Sequence, residues 1–201
     1  MSEILVVPTG TANTASVLAA LRRAGGEPQL CGEPHRVARA SHVVLPGVGS
    51  FGAASSRLDR HLRNALRRRI EEDRATLGIC LGMQLLCLSS EETPGARGLA
   101  VVPGVVRRLP DGRPLPQIGW NRVEAAEGCE LLESGEAYFA NGYALQSPPR
   151  HWNVASTDYG VPFVSALELG AVLACQFHPE LSGSFGQALL QRWIRKGAIS
   201  C

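Results

Sequence analysis

The stretch Gly78-Ile79-Cys80-Leu81-Gly82 places one cysteine between two glycines, with apolar residues on either side. Residues 75–79 have the pattern of the end of a buried strand, and residues 83–88 that of the start of an apolar helix. A nucleophile elbow has this layout, in which a sharp, strained turn exposes one side chain between a strand and a helix. Glycines permit such a turn and let neighbouring segments approach closely. The stretch therefore predicts a sulfur nucleophile at a strand end of an α/β fold.

A base and a group that orients it are expected near the end of the chain. A cysteine in an apolar run is usually a core residue, so the assignment of Cys80 as a nucleophile requires a base and an orienting group nearby. His178 and Glu180 follow an apolar strand at residues 171–177. Because ligands bind beyond the carboxyl ends of the strands in open α/β sheets, His178 and Cys80 share a crevice if their strands are neighbours. Pro179 favours an extended backbone at His178, so Glu180 is expected to bind one ring nitrogen and leave the other for the Cys80 proton.

Backbone donors for a developing oxyanion are expected in two places. The Leu81 amide follows the nucleophile, and Pro46-Gly47-Val48-Gly49 is a glycine-rich turn at the end of another strand. A single donor of this kind contributes about 3 to 4 kcal/mol to transition-state stabilisation. A plain turn between a strand and a helix is the alternative interpretation of the glycine-rich segment. The candidate oxyanion donors are Leu81, Val48 and Gly49.

Strands and helices alternate in the first half of the chain. Strands are expected at residues 4–8 and 42–45, and helices at residues 14–23 and 54–72. This alternation predicts a doubly wound, mostly parallel sheet flanked by helices on both faces. In the second helix, the arginines 67–69 are expected on the solvated face.

The second half of the chain has short strands without helices between them, which predicts a short antiparallel extension of the sheet. A closing helix is expected at residues 186–195, and no repeat or linker interrupts residues 1–201, so a single domain is expected. The expected short strands lie at residues 101–106, 118–123, 137–140, 152–155 and 163–167.

Composition excludes several classes of protein. The chain has 201 residues, and its formal net charge of +2 gives no indication of nucleic-acid binding. No segment approaches the ~18 continuous apolar residues of a membrane span, and the start of the chain lacks the pattern of a signal peptide. The six cysteines include no C-x-x-C pair, which argues against zinc and against a disulfide framework. We expect free thiols in a reducing cytoplasm, with no metal and no cofactor.

Together, three segments resemble the motifs of the class I, triad-type glutamine amidotransferases. Residues 46–51, 78–84 and 176–180 are similar to that family's oxyanion turn, nucleophile elbow and His-x-Glu motif, in the same order. Residues 117–121 and 138–143 are similar to segments of one subfamily, the glutaminase subunits of imidazole glycerol phosphate synthase in histidine biosynthesis. The resemblance covers essentially the whole chain.

The resemblance implies an enzyme that hydrolyses L-glutamine to glutamate and ammonia. It implies that Cys80 attacks the side-chain amide to form a thioester, with His178 as base and then acid, and Glu180 as the group that orients His178. It implies a heterodimer with a (β/α)8-barrel cyclase subunit, which uses the ammonia to form imidazole glycerol phosphate and an aminoimidazole carboxamide ribotide. The implied contacts are Gln84, Gly47, Asn141, Gly142 and Tyr143 with glutamine, and Asn13 and Trp120 with the partner.

The chain departs from the family pattern at three places. Ala12 replaces a glycine after the first strand, Asn141-Gly142 replaces a His-Ser pair, and Leu181 replaces a lysine. These departures concern glutamine binding and partner contact and leave the triad intact.

Other functions stay open on the sequence alone. The chain is also compatible with a glutaminase subunit for another acceptor, in pyridoxal phosphate or chorismate metabolism. A stand-alone cysteine hydrolase or peptidase is a second alternative. A catalytically silent subunit is a third, and the intact set of Cys80, His178 and Glu180 argues against it.

Overall fold

One continuous sheet organises the described part of the chain, residues 2–10 and 13–199 of a computed structural model. Thr11, Ala12 and Cys201 lie outside the described residues, and with them the first departure from the family pattern. The strands are β1 (Ser2–Val6), β2 (Gly26–Leu30), β3 (His42–Leu45), β4 (Thr76–Ile79), β5 (Cys87–Ser90), β6 (Val102–Arg108), β7 (Gln117–Ala125), β8 (Gly135–Asn141), β9 (Tyr143–Leu145), β10 (Asn153–Asp158), β11 (Pro162–Leu169) and β12 (Val172–Cys175). The helices are α1 (Thr14–Arg23), α2 (Pro34–Arg39), α3 (Phe51–Arg57), α4 (Arg60–Glu71), α5 (Leu81–Leu86) and α6 (Gly183–Ile199), with a 3-10 turn at Pro179–Leu181.

The sheet is parallel in one half and antiparallel in the other. Strands β2, β1, β3, β4 and β12 lie side by side in that order, and all are parallel. Strands β11, β10, β7 and β8 continue the sheet in antiparallel pairs. Strands β5, β6 and β9 form a branch that joins the sheet where β9 pairs with β11. The predicted doubly wound sheet with an antiparallel extension is confirmed.

Alternate residues of the parallel strands face two separate hydrophobic cores. In β1, Ile4 and Val6 belong to one core and Leu5 to the other, because successive side chains of a strand point to opposite faces. The first core includes Leu21 of α1 and Trp193 of α6. The second core includes residues of α2, α3, α4 and α5. Helices therefore cover both faces, as expected for a parallel sheet.

The long helix expected over residues 54–72 is two helices, α3 and α4. The chain breaks at Leu58 and Asp59, and the Asp59 side chain accepts a hydrogen bond from the Leu62 amide at 2.8 Å. An aspartate that caps a helix in this way marks a helix start, which the sequence does carry.

The expectation that residues 67–69 all lie on the solvated face is wrong for Arg69, which is 1% exposed. Position 69 continues the buried stripe of Leu62 and Leu66 at helical spacing, so its side chain points into the protein. The cost of burying the charged guanidinium is offset by hydrogen bonds that it donates to backbone carbonyl oxygens at 2.7–3.4 Å. These acceptors belong to Val37, Ala40, Ser41 and Ala75.

Four elements were not expected: β2, α2, β5 and β9. Strand β2 contains Pro28, and proline is found in sheets at edge strands, which is the place that β2 takes. Cys87 and Leu88, expected to continue an apolar helix, instead begin β5, because β6 is available there as a pairing partner.

Within the described ranges, no helix combines the length and apolar character that crossing a membrane requires. The assignment of residues 1–201 to a single domain stays a prediction.

Replacing Arg69 with methionine is expected to lower the free energy of unfolding by roughly 2–4 kcal/mol, because buried carbonyl oxygens lose their donors. Urea denaturation measures the change. Arg68→Met is the matched control, since the Arg68 side chain is 75% exposed and pairs with Glu72 across one helical turn. It should leave stability essentially unchanged. Equal stability of the two variants would contradict the structural role of Arg69.

Candidate active site

Cys80 occupies a strained turn between β4 and α5. Its φ of 51° and ψ of −106° place it in a region that residues other than glycine rarely adopt, at a cost of about 1–3 kcal/mol. The Cys80 amide donates a hydrogen bond to the Cys175 carbonyl oxygen at 2.7 Å, which fixes the turn against β12. The predicted elbow layout of strand, strained turn and helix is confirmed.

Gly82 allows this turn to pack against β3. A Cβ atom on Gly82 would lie 1.7 Å from the Leu45 carbonyl oxygen, far inside any real contact. Gly47 is similarly confined, since its Cβ would lie 2.8 Å from the Leu81 Cβ. Both glycines are therefore required by close approach of the backbone.

The strands that carry Cys80 and His178 are neighbours, as the crevice hypothesis requires. In the parallel pair of β4 and β12, Ile79 lies opposite Cys175. His178 follows β12 and is held by its backbone: its amide donates to the Tyr138 carbonyl oxygen at 2.9 Å, and its carbonyl oxygen accepts from the Ser182 hydroxyl at 2.6 Å.

Glu180 binds the imidazole of His178 in a buried contact. Nδ1 of His178 lies 2.9 Å from Oε1 of Glu180, and the two side chains are 5% and 4% exposed. His178 itself is extended, as Pro179 predicts, but Glu180 lies in the 3-10 turn rather than in an extended segment. The expected contact forms through this turn. A carboxylate at Nδ1 fixes the proton there and directs Nε2 to the cysteine.

The charged form of His178 is favoured by its two neighbours. Burial lowers the pKa of His178, but hydrogen bonds to Cys80 and Glu180, together with their negative charge, outweigh burial and raise that pKa from 6.5 to about 10. Two other thiols near the core contrast with this site. Burial raises the pKa of Cys87 to about 12 and raises the pKa of Cys175 well above its usual value. These two thiols stay protonated and unreactive.

A small pocket opens over the Cys80 elbow. Its volume is about 160 Å³, below the ~300–1,000 Å³ of pockets for drug-sized ligands, so it suits a molecule of amino-acid size. Glu92 is the acidic residue of its lining and was not singled out from the sequence. Glu92 also accepts a hydrogen bond from the Phe51 amide. The lining residues are Val48, Gly49, Cys80, Leu81, Gln84, Glu92, Ala140, Asn141, Gly142 and Tyr143.

The candidate oxyanion donors meet at one side of this pocket. Val48 and Gly49 line it beside Leu81, and the Leu81 amide donates to the Gly47 carbonyl oxygen at 3.3 Å. This contact is long for an N–H···O bond. An oxyanion at Cys80 would compete with the Gly47 carbonyl for the Leu81 donor. The roles of these residues stay predictions.

The candidate glutamine contacts are tied together by one backbone carbonyl. The Tyr143 carbonyl oxygen accepts from Gln84 Nε2 at 3.0 Å and from Asn141 Nδ2 at 3.2 Å. Gln84 Nε2 also donates to Oε1 of Gln176 at 3.0 Å, and Nε2 of Gln176 donates to the Cys80 sulfur at 3.5 Å. No role for Gln176 was expected from the sequence, although it lies two residues before His178.

The candidate partner contacts lie outside the pocket. Trp120 is 58% exposed and packs edge-on against Tyr138, whose backbone anchors His178. Leu181 is also exposed. Asn13 is exposed and caps α1, because its side chain accepts from the Ser16 amide at 3.4 Å. Among the described residues, no cluster of three His, Cys, Asp or Glu side chains is arranged to hold a metal ion.

Comparisons with known proteins identify the family of the chain. The sequence profile of the family Glutamine amidotransferase class-I matches residues 10–196. The imidazole glycerol phosphate synthase subunit HisH of Symbiobacterium thermophilum is 43% identical over 97% of this chain and 94% of its own length. The chloroplastic imidazole glycerol phosphate synthase hisHF of Arabidopsis thaliana is 37% identical over 96% of this chain, which spans 34% of that longer protein.

A solved structure supports the fold. The crystal structure of a glutamine amidotransferase superposes with a TM-score of 0.77, covering 97% of this chain and 98% of the other at 22% identity. The class I profile spans nearly the whole chain, and the similarity to HisH subunits extends over nearly their full length. The chain therefore belongs to the class I glutamine amidotransferase family and, within it, to the HisH subunits of imidazole glycerol phosphate synthase.

Proposed function

We propose that this chain is the glutaminase subunit of an imidazole glycerol phosphate synthase, with Cys80, His178 and Glu180 as its catalytic triad. One observation carries the proposal: a strained, pocket-lining cysteine follows the strand next to β12, and β12 leads to a histidine that a buried carboxylate orients. This is the arrangement of nucleophile, base and orienting group that acyl transfer requires. Relatives named for this synthase favour it over the pyridoxal phosphate, chorismate and peptidase alternatives.

The triad accounts for both halves of the hydrolysis. His178 takes the Cys80 thiol proton on Nε2 as the sulfur bonds to the side-chain amide carbon of glutamine. The imidazolium then gives this proton to the amide nitrogen, so that the carbon–nitrogen bond breaks, ammonia leaves and the thioester remains. His178 then takes a proton from water, whose oxygen attacks the thioester carbonyl carbon. Glutamate leaves as the carbon–sulfur bond breaks. Glu180 holds the imidazole in the orientation that both steps need.

The pocket supports recognition of the amino-acid end of glutamine. Glu92 supplies a carboxylate that can pair with an α-ammonium group. Gln84 uses its Nε2 hydrogens on Tyr143 and Gln176, so the group it offers a ligand is the carbonyl oxygen Oε1. Leu81, Val48 and Gly49 are the proposed oxyanion donors. Gly47, Asn141, Gly142 and Tyr143 complete the proposed glutamine contacts.

Ammonia is proposed to pass to a (β/α)8-barrel cyclase subunit in a heterodimer. The Arabidopsis relative supports a close partnership, because this chain matches only about a third of that single protein. Ile118, Trp120 and Leu181 are exposed apolar side chains, and Ile118 and Trp120 lie two residues apart on one face of β7. Adjacent exposed apolar groups of this kind are typical of protein interfaces. Asn13 and Trp120 are the proposed contacts. We also place the complex in the cytoplasm, where the Cys80 thiol stays reduced.

Cys80→Ala should abolish glutamine-dependent synthesis by the complex and leave ammonia-dependent synthesis intact, since only the nucleophile is lost. Formation of imidazole glycerol phosphate with each nitrogen source measures this. Cys129→Ala is the matched control, because Cys129 is a half-buried thiol that does not line the pocket, and both activities should persist. Glutamine-dependent synthesis by Cys80→Ala would refute the nucleophile assignment.

Glu180→Gln should lower the pKa of His178, because the carboxylate that favours the imidazolium is removed. NMR titration of the imidazole measures the shift, and kcat should fall by up to about 10⁴-fold. In the wild type, the His178 pKa is raised on folding. Its contribution to stability is therefore fully present below about pH 6.5 and is lost as pH rises towards about 10. An unchanged His178 titration in Glu180→Gln would contradict the assigned pairing.

Glu92→Gln should raise KM for glutamine by about 10- to 100-fold with a smaller effect on kcat, because the variant keeps an oxygen for the Phe51 amide and loses only the charge. Steady-state glutamate release by the complex measures both constants. Glu91→Gln is the adjacent control, since Glu91 pairs with Arg107 at the surface. If the two variants have the same KM, Glu92 does not bind the substrate.

A further inference from the structure

A chain of side-chain amides joins the substrate pocket to the Cys80 sulfur. It runs from the Tyr143 carbonyl oxygen through Gln84 to Gln176, and from Gln176 Nε2 to the Cys80 sulfur at 3.5 Å. The chain is buried: Gln176 is 0% exposed and Gln84 is 6% exposed. A buried glutamine that points its amide at a nucleophile is costly unless both of its ends are satisfied, and here both ends are.

The direction of these hydrogen bonds is fixed by the Tyr143 carbonyl, which can only accept. Gln84 must therefore present its Nε2 to Tyr143, and the same nitrogen lies 3.0 Å from Gln176. The Gln176 atom facing Gln84 must then be the acceptor Oε1. By elimination, the Gln176 atom facing the Cys80 sulfur is Nε2, a donor.

A donor held at the sulfur favours the anionic form of the thiol. A thiolate accepts an N–H hydrogen bond more strongly than a neutral thiol does, so the contact stabilises the nucleophilic state. The same amide holds Gln84 in the orientation that leaves Oε1 facing a ligand. One buried side chain thus acts on the nucleophile and on a recognition group together.

We propose that Gln176 is a positioning residue that stabilises the Cys80 thiolate and orients Gln84 for the amino-acid end of glutamine. The second half of this statement rests on the proposed glutaminase function. The first half rests only on the contact between Gln176 and the sulfur. The two halves therefore predict separate measurements.

The test compares the wild type with Gln176→Met and Gln176→Glu. The rate of alkylation of Cys80 by iodoacetamide is followed against pH by mass spectrometry of the peptide that contains Cys80. In Gln176→Met, the midpoint should move to higher pH, and the rate at neutral pH should fall by about 10- to 100-fold, because a hydrogen bond to a charged group is lost. In Gln176→Glu, the carboxylate repels the thiolate, so the rate should fall further. Either variant suffices if the other does not fold.

Glutamine hydrolysis by the complex with the cyclase subunit supplies the second readout. In Gln176→Met, KM should rise as well as kcat fall, since Gln84 loses its partner. Ser165→Ala is the matched control, because it removes a fully buried polar side chain from β11 next to Gln176. The backbone carbonyl of Ser165 accepts a hydrogen bond from the backbone amide of Gln176, and the substitution leaves this bond in place. This control should keep the wild-type alkylation profile and the wild-type KM.

The proposal would be overturned if Gln176→Met had the alkylation profile and the KM of the wild type and only a lower thermal stability. Gln176 would then be a structural residue. If the alkylation profile moves as expected but the wild-type complex hydrolyses no glutamine, the proposed function fails and the action of Gln176 on the sulfur stands. Normal glutamine turnover by the wild type with no change in either variant refutes the Gln176 assignment alone.

Discussion

The hydrogen bond from the Cys80 amide to the Cys175 carbonyl oxygen, 2.7 Å long, closes the pairing between β4 and β12 at the centre of the sheet. Cys80 leaves the sheet just after this bond, and His178 leaves it three residues after Cys175. The two reacting side chains are far apart in sequence, and this strand pairing brings the segments that carry them together. A shift of one residue in its register would turn β12 side chains to the opposite face.

Local strain at Cys80 is maintained by what packs around it. The positive φ is costly for a cysteine, and it persists because β3, β4 and β12 leave the turn no other path. Gly82 lets β3 approach so closely that no larger side chain fits. Burial opposes charge on His178, while Cys80 and Glu180 favour it, and the second effect is the larger. The site therefore combines a strained backbone with buried charges that are stable only in each other's presence.

The parts that sequence predicts well are those encoded over short spans. The elbow follows from the spacing of Gly78, Cys80 and Gly82. The contact of His178 with Glu180 was expected from an extended backbone, and it forms instead through a 3-10 turn. The alternation of strands and helices likewise predicts the central strands of the parallel half, because each βαβ unit is local, although it misses the edge strand β2.

The parts that sequence misses depend on distant neighbours. Glu92 lines the pocket because it follows the branch strand β5. The role of Gln176 depends on its hydrogen bonds with Gln84 and Cys80, which are distant in sequence. Arg69 has the same charge as its more exposed neighbours Arg67 and Arg68, and it is buried because backbone carbonyl oxygens of other segments accept hydrogen bonds from its guanidinium. Tertiary contacts decided each of these positions.

Pro28 in β2 affects whether two molecules of this protein can associate through the edge of the sheet. The Cys31 amide donates to Val6 of β1, and alternation along the strand then turns the Pro28 position to the outer edge of the sheet. Proline has no amide hydrogen to offer there. An open sheet edge is a template for adding strands from a second molecule, and here that template is interrupted at the middle of the strand. The edge of the sheet thus resists uncontrolled self-association.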